Sequence, residues 1–513
     1  MKEMSRIISS FENRTFPLPY GIIWLLSIIV LRNFLEAFSS ETYLYRFSWF
    51  FVHYPLFYIA LFIYLALLIY LLSRERIESV FRVMLAFFPV ILLPPIIDII
   101  ATGIGGSKMR YLSSDLYQNF FTFFGSPFNS RTGITMGIKI EILIILIAIF
   151  CYLLAKRKNI LTPIIGTVAS YILIFFFVST PVFKNEFTRL LQRYRLVSDM
   201  AYLSFELYYI ILIIIGGALL LLAYDSKLLR VILFELRLPR LLHFLLMFFG
   251  GLWLGLKGRL TLFKSLNTFD FIFICVAIAF LWLFAVLTND IFDTAGDKLS
   301  ERQKPLTKYN VNKGIIKAIT AITLITGLGI TALVDYKYFA LGCVFTALYW
   351  IYSAPPFRLK RIPIVATFII AFASLTLTLM GTILAGNRLS EHSLKASALI
   401  LVCFTLAFNV KDLKDIEADK FEKVYTIPVL LGKKYGKLVV GVLSFLAFLL
   451  VPIILGSSNP IFFLISLLAG LITIFISTRK TVHEWAFFLL YYSYLFCIFI
   501  LLPYGKEALL QVR

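Results

Sequence analysis

Acidic residues are scarce in this chain, 28 Asp and Glu among 513 residues, so their grouping carries information. One group comprises Asn289, Asp290, Asp293 and Asp297 and leads into Arg302, Lys304 and Pro305. The other comprises Asp412, Asp415 and Asp419 and leads into Lys420 and Lys423. In both, the aspartates stand at i, i+3 and i+7, and at about 100° per residue a continuous helix turns all three carboxylates to one face. Like charges repel, and a charge at the membrane centre costs about 2.5–3.5 kcal/mol on insertion scales. Either a cation neutralises them or they lie at the water boundary. Mg²⁺ suits such a set, because it binds one or two carboxylates together with substrate phosphates and keeps several waters. Two acidic faces meeting across a cavity could hold two Mg²⁺ ions bridged by one diphosphate, with Asn289 adding a neutral carbonyl. Solvated helix ends with Asp–Lys pairs would account for either group by itself. Two groups of identical spacing, each followed by bases, favour a diphosphate site.

The elements that must position these residues are membrane helices. The chain is 60% hydrophobic and 15% charged, with a mean hydropathy of +0.90, against about a quarter charged residues in a soluble domain. Its apolar runs are long enough to span a membrane, which takes about 20 residues each. They predict an all-α polytopic membrane protein with six spans near 20–38, 50–73, 78–102, 140–156, 160–183 and 201–224. Nine more follow near 238–256, 269–288, 314–334, 338–353, 362–386, 395–410, 436–456, 460–478 and 484–503. Between the two groups, Asp225–Arg240 reads as a short amphipathic helix on the membrane surface and as the domain boundary, giving domains 1–225 and 226–513. Base-rich loops follow the second, fourth, sixth and eighth spans of the later domain. By the positive-inside tendency they face the cytoplasm, and both acidic groups with them.

The formal net charge of +21 comes from bases between the spans, as expected beside an anionic membrane surface. No nucleic-acid motif accompanies them, so nucleic acid is not an expected partner. Cys151, Cys275, Cys343, Cys403 and Cys497 stand singly, without metal or redox spacing.

Three segments share a resemblance. NDIFDTAGDKLSERQKPL, from Asn289, resembles the first signature of the UbiA superfamily of intramembrane prenyltransferases. KDLKDIEADKFEKVYTIPVLLGKKYG, from Lys411, is similar to its second signature, and YSAPPFRLKR, Tyr352–Arg361, to the element between them. The likeness covers about residues 230–505. It implies a nine-helix prenyltransferase bundle, here preceded by about six extra helices, in the cell membrane with its active site facing the cytoplasm. It further implies Mg²⁺-dependent transfer of an isoprenyl group from a prenyl diphosphate to a hydrophobic acceptor, with a lean to archaeal-type ether lipids. On that resemblance Asn289, Asp290, Asp293 and Asp297 serve one metal, and Asp412, Asp415 and Asp419 the other, the six aspartates being catalytic. Arg302, Lys304, Lys360 and Lys411 would hold diphosphate oxygens, with Tyr352 and Asn289 as hydrogen-bond partners. Tyr349, Trp350 and Phe357 lie in the same neighbourhood and read as interfacial belt residues. A membrane terpene cyclase or prenyl diphosphate hydrolase could use the same metals. A lipid or ion transporter would instead show inverted repeats with broken helices near the midplane.

The first domain resembles no known family. Arg32, Asn33, Glu36, His53 and Asp98 fall within its spans, and intramembrane ionisable groups are functional hypotheses by default. Arg32 and Glu36, at i and i+4, can neutralise each other. Gly103 and its neighbours read as the end of a span, and the Phe-rich loop 107–139 as a re-entrant or interfacial segment.

Overall fold

The computed structural model describes residues 2–13, 18–40, 52–105, 110–123, 134–157, 159–193, 204–257, 266, 268–293, 312–387, 393–479 and 481–501. Among them, all regular structure is helical. The chain divides into two compact units, Met1–Leu229 and Arg230–Arg513.

The first unit contains α1 (Lys2–Glu12), α2 (Leu18–Ser40), α3 (Tyr54–Ser73), α4 (Ile77–Phe87), α5 (Leu93–Thr102) and α6 (Leu116–Phe121). It continues with α7 (Met136–Lys156), α8 (Leu161–Val178), α9 (Thr180–Arg193) and α10 (Ser204–Tyr224). The dividing point falls within α11 (Ser226–Glu235). In the second unit come α12 (Leu238–Gly255), α13 (Thr268–Phe292), α14 (Lys313–Val334), α15 (Tyr336–Ser353) and α16 (Val365–Leu384). They are followed by α17 (Leu394–Ala407), the short α18 (Ile416–Phe421), α19 (Ile427–Leu455), α20 (Pro460–Thr478) and α21 (Glu484–Leu501). Thirteen of the fifteen expected spans are helices long and apolar enough to cross a membrane. The other two, α15 and α21, form as helices. α15 is diluted by Lys337, a threonine and four tyrosines, and α21 is apolar over a shorter stretch, Glu484–Ile498. The span over 77–102 is broken into α4, a 3₁₀ turn (Phe88–Leu92) and α5, because Pro89, Pro94 and Pro95 bring no backbone N–H to the helix ladder.

The ionisable residues of the first unit become interhelical contacts. Arg32 is fully buried, 3.2 Å from Glu36 one turn on, with its guanidinium carbon 5.2 Å from the Tyr58 ring centroid. Asp98 accepts a hydrogen bond of 2.8 Å from the Gly137 N–H, tying α5 to the start of α7. Only glycine fits there, since a Cβ on residue 137 would lie 2.3 Å from the Pro94 carbonyl oxygen. His53 bonds Tyr111 at 2.7 Å, Tyr111 bonds Tyr209 at 3.2 Å, and Tyr209 donates to Thr180 at 3.0 Å. Gly103 ends α5 with φ +76. Of the Phe-rich loop, Leu116–Phe121 is helical, and residues 124–133 lie outside the described residues.

In the second unit Phe248, Leu281, Phe345, Leu377 and Met380 form the centre of the packed interior. Lipid removes the hydrophobic drive between helices, so close backbone approach and van der Waals contact must hold them. α12 and α16 meet at two glycines. A Cβ on Gly251 would stand 1.8 Å from the Thr378 carbonyl oxygen, and one on Gly381 2.0 Å from that of Phe248. Gly251→Ala or Gly381→Ala should therefore force these helices apart and lower the melting temperature in detergent, at a cost of about 1–3 kcal/mol or more. Gly250→Ala, whose Cβ meets open space, should melt close to the native protein.

Candidate active site

Both acidic groups lie where helices end, and the second does not form the continuous three-carboxylate face that the spacing predicts. α13 stops at Phe292, so Asn289 and Asp290 occupy its last turn and Asp293 lies just beyond. Asp297, Arg302 and Lys304 lie outside the described residues. After α17 the chain tightens into a 3₁₀ turn (Phe408–Leu413) carrying Lys411 and Asp412. It breaks at Lys414 and Asp415, then resumes as α18 with Asp419. Helical rotation is interrupted between Asp412 and Asp419, so their approach depends on the break rather than on periodicity.

Each described carboxylate of the first group meets a guanidinium or ammonium. Arg237, at the start of α12 in left-handed backbone (φ 44), donates from Nη2 to both Asp290 oxygens, at 3.0 and 2.7 Å. The same nitrogen donates to Glu235 at 3.0 Å. Asp290 and Glu235 are each 1% exposed. Burial, reinforced by the neighbouring Asp290 charge, pushes the Glu235 carboxyl up to about 7 against the pull of Arg237. Asp293 accepts from Arg358 at 2.9 Å and from the buried Lys360. Arg358 also bonds Glu422, and the Tyr425 N–H reaches the Arg361 carbonyl at 3.2 Å. The Tyr352–Arg361 element thus bridges the two acidic groups. At its start, Ser353 donates to Asn289 Oδ1 at 3.4 Å, and Tyr352 accepts from Lys411 at 2.6 Å.

In the second group Asp419 is pushed up to about 8 by burial and by the charges of Asp412 and Asp415, against the weaker pull of Lys411 and Lys360. Burial is the larger cause, and the neighbouring carboxylates add to it. Among the described residues no three metal-ligating side chains converge on one point. The oxygen-only donors still fit Mg²⁺, which needs only one or two carboxylates per ion beside phosphate and water.

Below these charges lies a cavity of ≈ 180 Å³. Arg237, Arg240, Asn289, Tyr352, Lys411 and Glu484, all at or near helix ends, line it together with the rings of Phe244, Trp282, Tyr349 and Tyr491 from within the helices and of Phe408 from the 3₁₀ turn. Arg240 donates to Glu484 at 2.8 Å, and Lys414 bonds the same carboxylate. Tyr349 is buried against the cavity, unlike the belt position expected for it, whereas Trp350 and Phe357 are exposed. The segment expected to lie on the membrane surface likewise ends inside the site, at Glu235, Arg237 and Arg240. The sequence does not single out those three, nor Arg358, Glu422, His243 or Glu484. Arg358 sits inside the Tyr352–Arg361 element, and the pair Glu235 and Arg237 just before a span was the available signal.

The family model for the UbiA prenyltransferase family matches residues 244–502. The digeranylgeranylglyceryl phosphate synthase of Sulfolobus acidocaldarius is 27% identical over 185 residues, 35% of this chain and 64% of that protein. That of Methanocaldococcus jannaschii is 25% identical over 206 residues, 39% of this chain and 65% of that protein. The chain thus spans just under two thirds of the length of these relatives. A UbiA homologue from Archaeoglobus fulgidus, solved with GPP and Mg²⁺, superposes with a TM-score of 0.41 at 19% identity, covering 55% of this chain and 100% of that one. The same homologue, solved with DMAPP and Mg²⁺, gives 0.41 at 18% identity, covering 55% and 99%.

A divalent cation among Asp412, Asp415 and Asp419 would relieve their mutual repulsion. Mg²⁺ should therefore raise the melting temperature of the detergent-solubilised protein, by the equivalent of about 2.7 kcal/mol at a hundredfold excess over Kd. Asp419→Asn should raise the metal-free melting temperature at pH 8 and shrink the Mg²⁺ increment.

Proposed function

The chain belongs to the UbiA prenyltransferase family, and from that membership we propose that it transfers an isoprenyl group from a prenyl diphosphate to a lipid-soluble alcohol, as in archaeal-type ether lipid synthesis. The observation that carries this reading is the joining of a mouth of paired carboxylates and bases to an aromatic cavity. The names of the archaeal relatives support the lipid class. The active site faces the cytoplasm of the cell membrane, as the loop charges indicate. Residues 226–513 carry the chemistry, and 1–225 form a separate membrane domain.

Two Mg²⁺ ions, one with Asn289, Asp290, Asp293 and Asp297 and one with Asp412, Asp415 and Asp419, would offset charge on the departing diphosphate. Arg237, Lys360 and Lys411, with Arg302 and Lys304, bind its oxygens, and the Tyr352 hydroxyl orients Lys411. These fixed charges are aimed at the place where negative charge develops, and they need no rearrangement of water to act. The bond between C1 of the prenyl chain and the diphosphate oxygen breaks, its electron pair leaving with the diphosphate. The rings of Trp282, Tyr349 and Phe408 keep water away and steady the allylic cation through their faces. A lone pair of the acceptor oxygen then forms the new C1–O bond, and the hydroxyl proton passes to the departing diphosphate.

With geranylgeranyl diphosphate and a panel of lipid alcohols, the purified protein should release diphosphate in a Mg²⁺-dependent way and form a prenyl ether detectable by mass spectrometry. Release without an acceptor would instead mark a cyclase or hydrolase, and substrate flux in vesicles without release a transporter. Asp293→Asn and Asp415→Asn should each lower transfer by at least about 100-fold while the protein still inserts. Full activity in both would overturn the two-metal assignment. A segment of residues 226–513 that folds and binds donor but cannot transfer would overturn the domain assignment.

A further inference from the structure

Inside the cavity one chain of hydrogen bonds has a fixed direction. His243 of α12 bonds the Tyr491 hydroxyl of α21 through Nδ1, and Ser374 Oγ of α16 through Nε2, each at 2.9 Å. The Ser374 hydroxyl has a single proton, and it donates that proton to the Ile370 carbonyl at 2.9 Å. Towards His243 it can therefore only accept, so Nε2 carries the hydrogen. His243 is 4% exposed among the rings of Phe244, Phe404 and Phe408, where a charge would be costly. A neutral imidazole has one N–H. Nδ1 is thus a bare acceptor, and the Tyr491 proton is committed to it.

What Tyr491 offers the cavity it lines is an oxygen with lone pairs and no hydrogen, which calls for a donor. A second polar group lines the same cavity from α19. Ser444 is 1% exposed, and its Oγ has no hydrogen-bond partner. An isoprenoid tail can satisfy neither group. A hydroxyl has what both require, a hydrogen to give to Tyr491 and a lone pair to accept from Ser444. A ketone, quinone carbonyl or ether can only accept, and would leave Tyr491 facing the cavity without a donor.

We propose that Tyr491 and Ser444 form a cradle for the alcohol group of the acceptor, with His243 and Ser374 as positioning residues that fix the direction of the Tyr491 hydroxyl. The inference rests on the prenyl-transfer reading for the identity of that alcohol. His243 lies one helical turn beyond Arg240, and Tyr491 about 10 Å along α21 from Glu484. The cradle thus stands a short way along α12 and α21 from the charged ends at Arg240 and Glu484. The cavity selects alcohols over carbonyl acceptors of the same shape.

The test compares the full-length protein with Tyr491→Phe and Ser444→Ala. Dissociation constants are measured by calorimetry for a long-chain alcohol and its methyl ether, with neither donor nor Mg²⁺ present. The native protein should bind the alcohol at least about tenfold more tightly than the ether. Tyr491→Phe should lose that preference while its affinity for the ether is kept, which a collapsed cavity would not allow; Ser444→Ala should weaken alcohol and ether alike and keep the preference. In turnover, the KM for the acceptor should rise about tenfold, with the KM for the donor unchanged. Absence of the preference in the native protein, its persistence in Tyr491→Phe, or unchanged affinities in Ser444→Ala would overturn the cradle. If the preference holds and is lost in Tyr491→Phe but no acceptor is ever prenylated, the cradle is supported and the prenyl-transfer reading falls.

Discussion

Asp290 and Asp293 stand buried at the end of an apolar helix, and the rest of the second unit is arranged around the need to neutralise them. An unpaired carboxylate in such a place would take up a proton or pull the helix end toward water. Neither is necessary, because Arg237 arrives from the segment before α12, and Arg358 and Lys360 from the turn after α15. These contacts bring together the ends of α12, α13 and α15. Arg358, shared with Glu422, extends the arrangement to the loop that carries the second acidic group.

Such pairs are exchangeable by their nature. A buried ion pair gains Coulomb energy but loses the hydration of both ions, so its net contribution is small, while removing one partner alone is costly. A site built this way holds its carboxylates ready for a stronger cation and its bases ready for a stronger anion. Asp290 and Asp293 meet bases directly, whereas Asp419 is pushed up by burial and by the charges of Asp412 and Asp415. That asymmetry fits a site whose missing charge arrives with its ligands.

The first unit uses similar residue types differently. Arg32 with Glu36 and Tyr58, Asp98 with the Gly137 amide, and the series from His53 to Thr180 join helices to one another. Polar contacts can hold membrane helices together where hydrophobic burial gives no preference for protein over lipid. The ionisable residues that the sequence marks as unusual within spans are thus built into its packing.

The sequence by itself determined the approximate place of the membrane-length helices, since a bilayer demands long apolar runs whatever the fold. It also determined the acidic groups and their signatures, since Asn289 to Asp293 and Lys411 to Asp419 are contiguous and their spacing is visible in one dimension. The quoted second segment also contains Gly432, whose φ of +77 at the kink near the start of α19 is one that glycine tolerates. What only the tertiary structure decided was partnership. Arg237 is 53 residues from Asp290, Arg358 65 from Asp293, and His243 248 from Tyr491. Nothing in local spacing distinguishes Arg237 from Arg230 or Arg240, because the choice is made by which helix ends meet. The direction of the Tyr491 hydroxyl is likewise invisible in the chain. It follows from a proton that Ser374 has already given to a backbone carbonyl, and only packing brings those groups within reach.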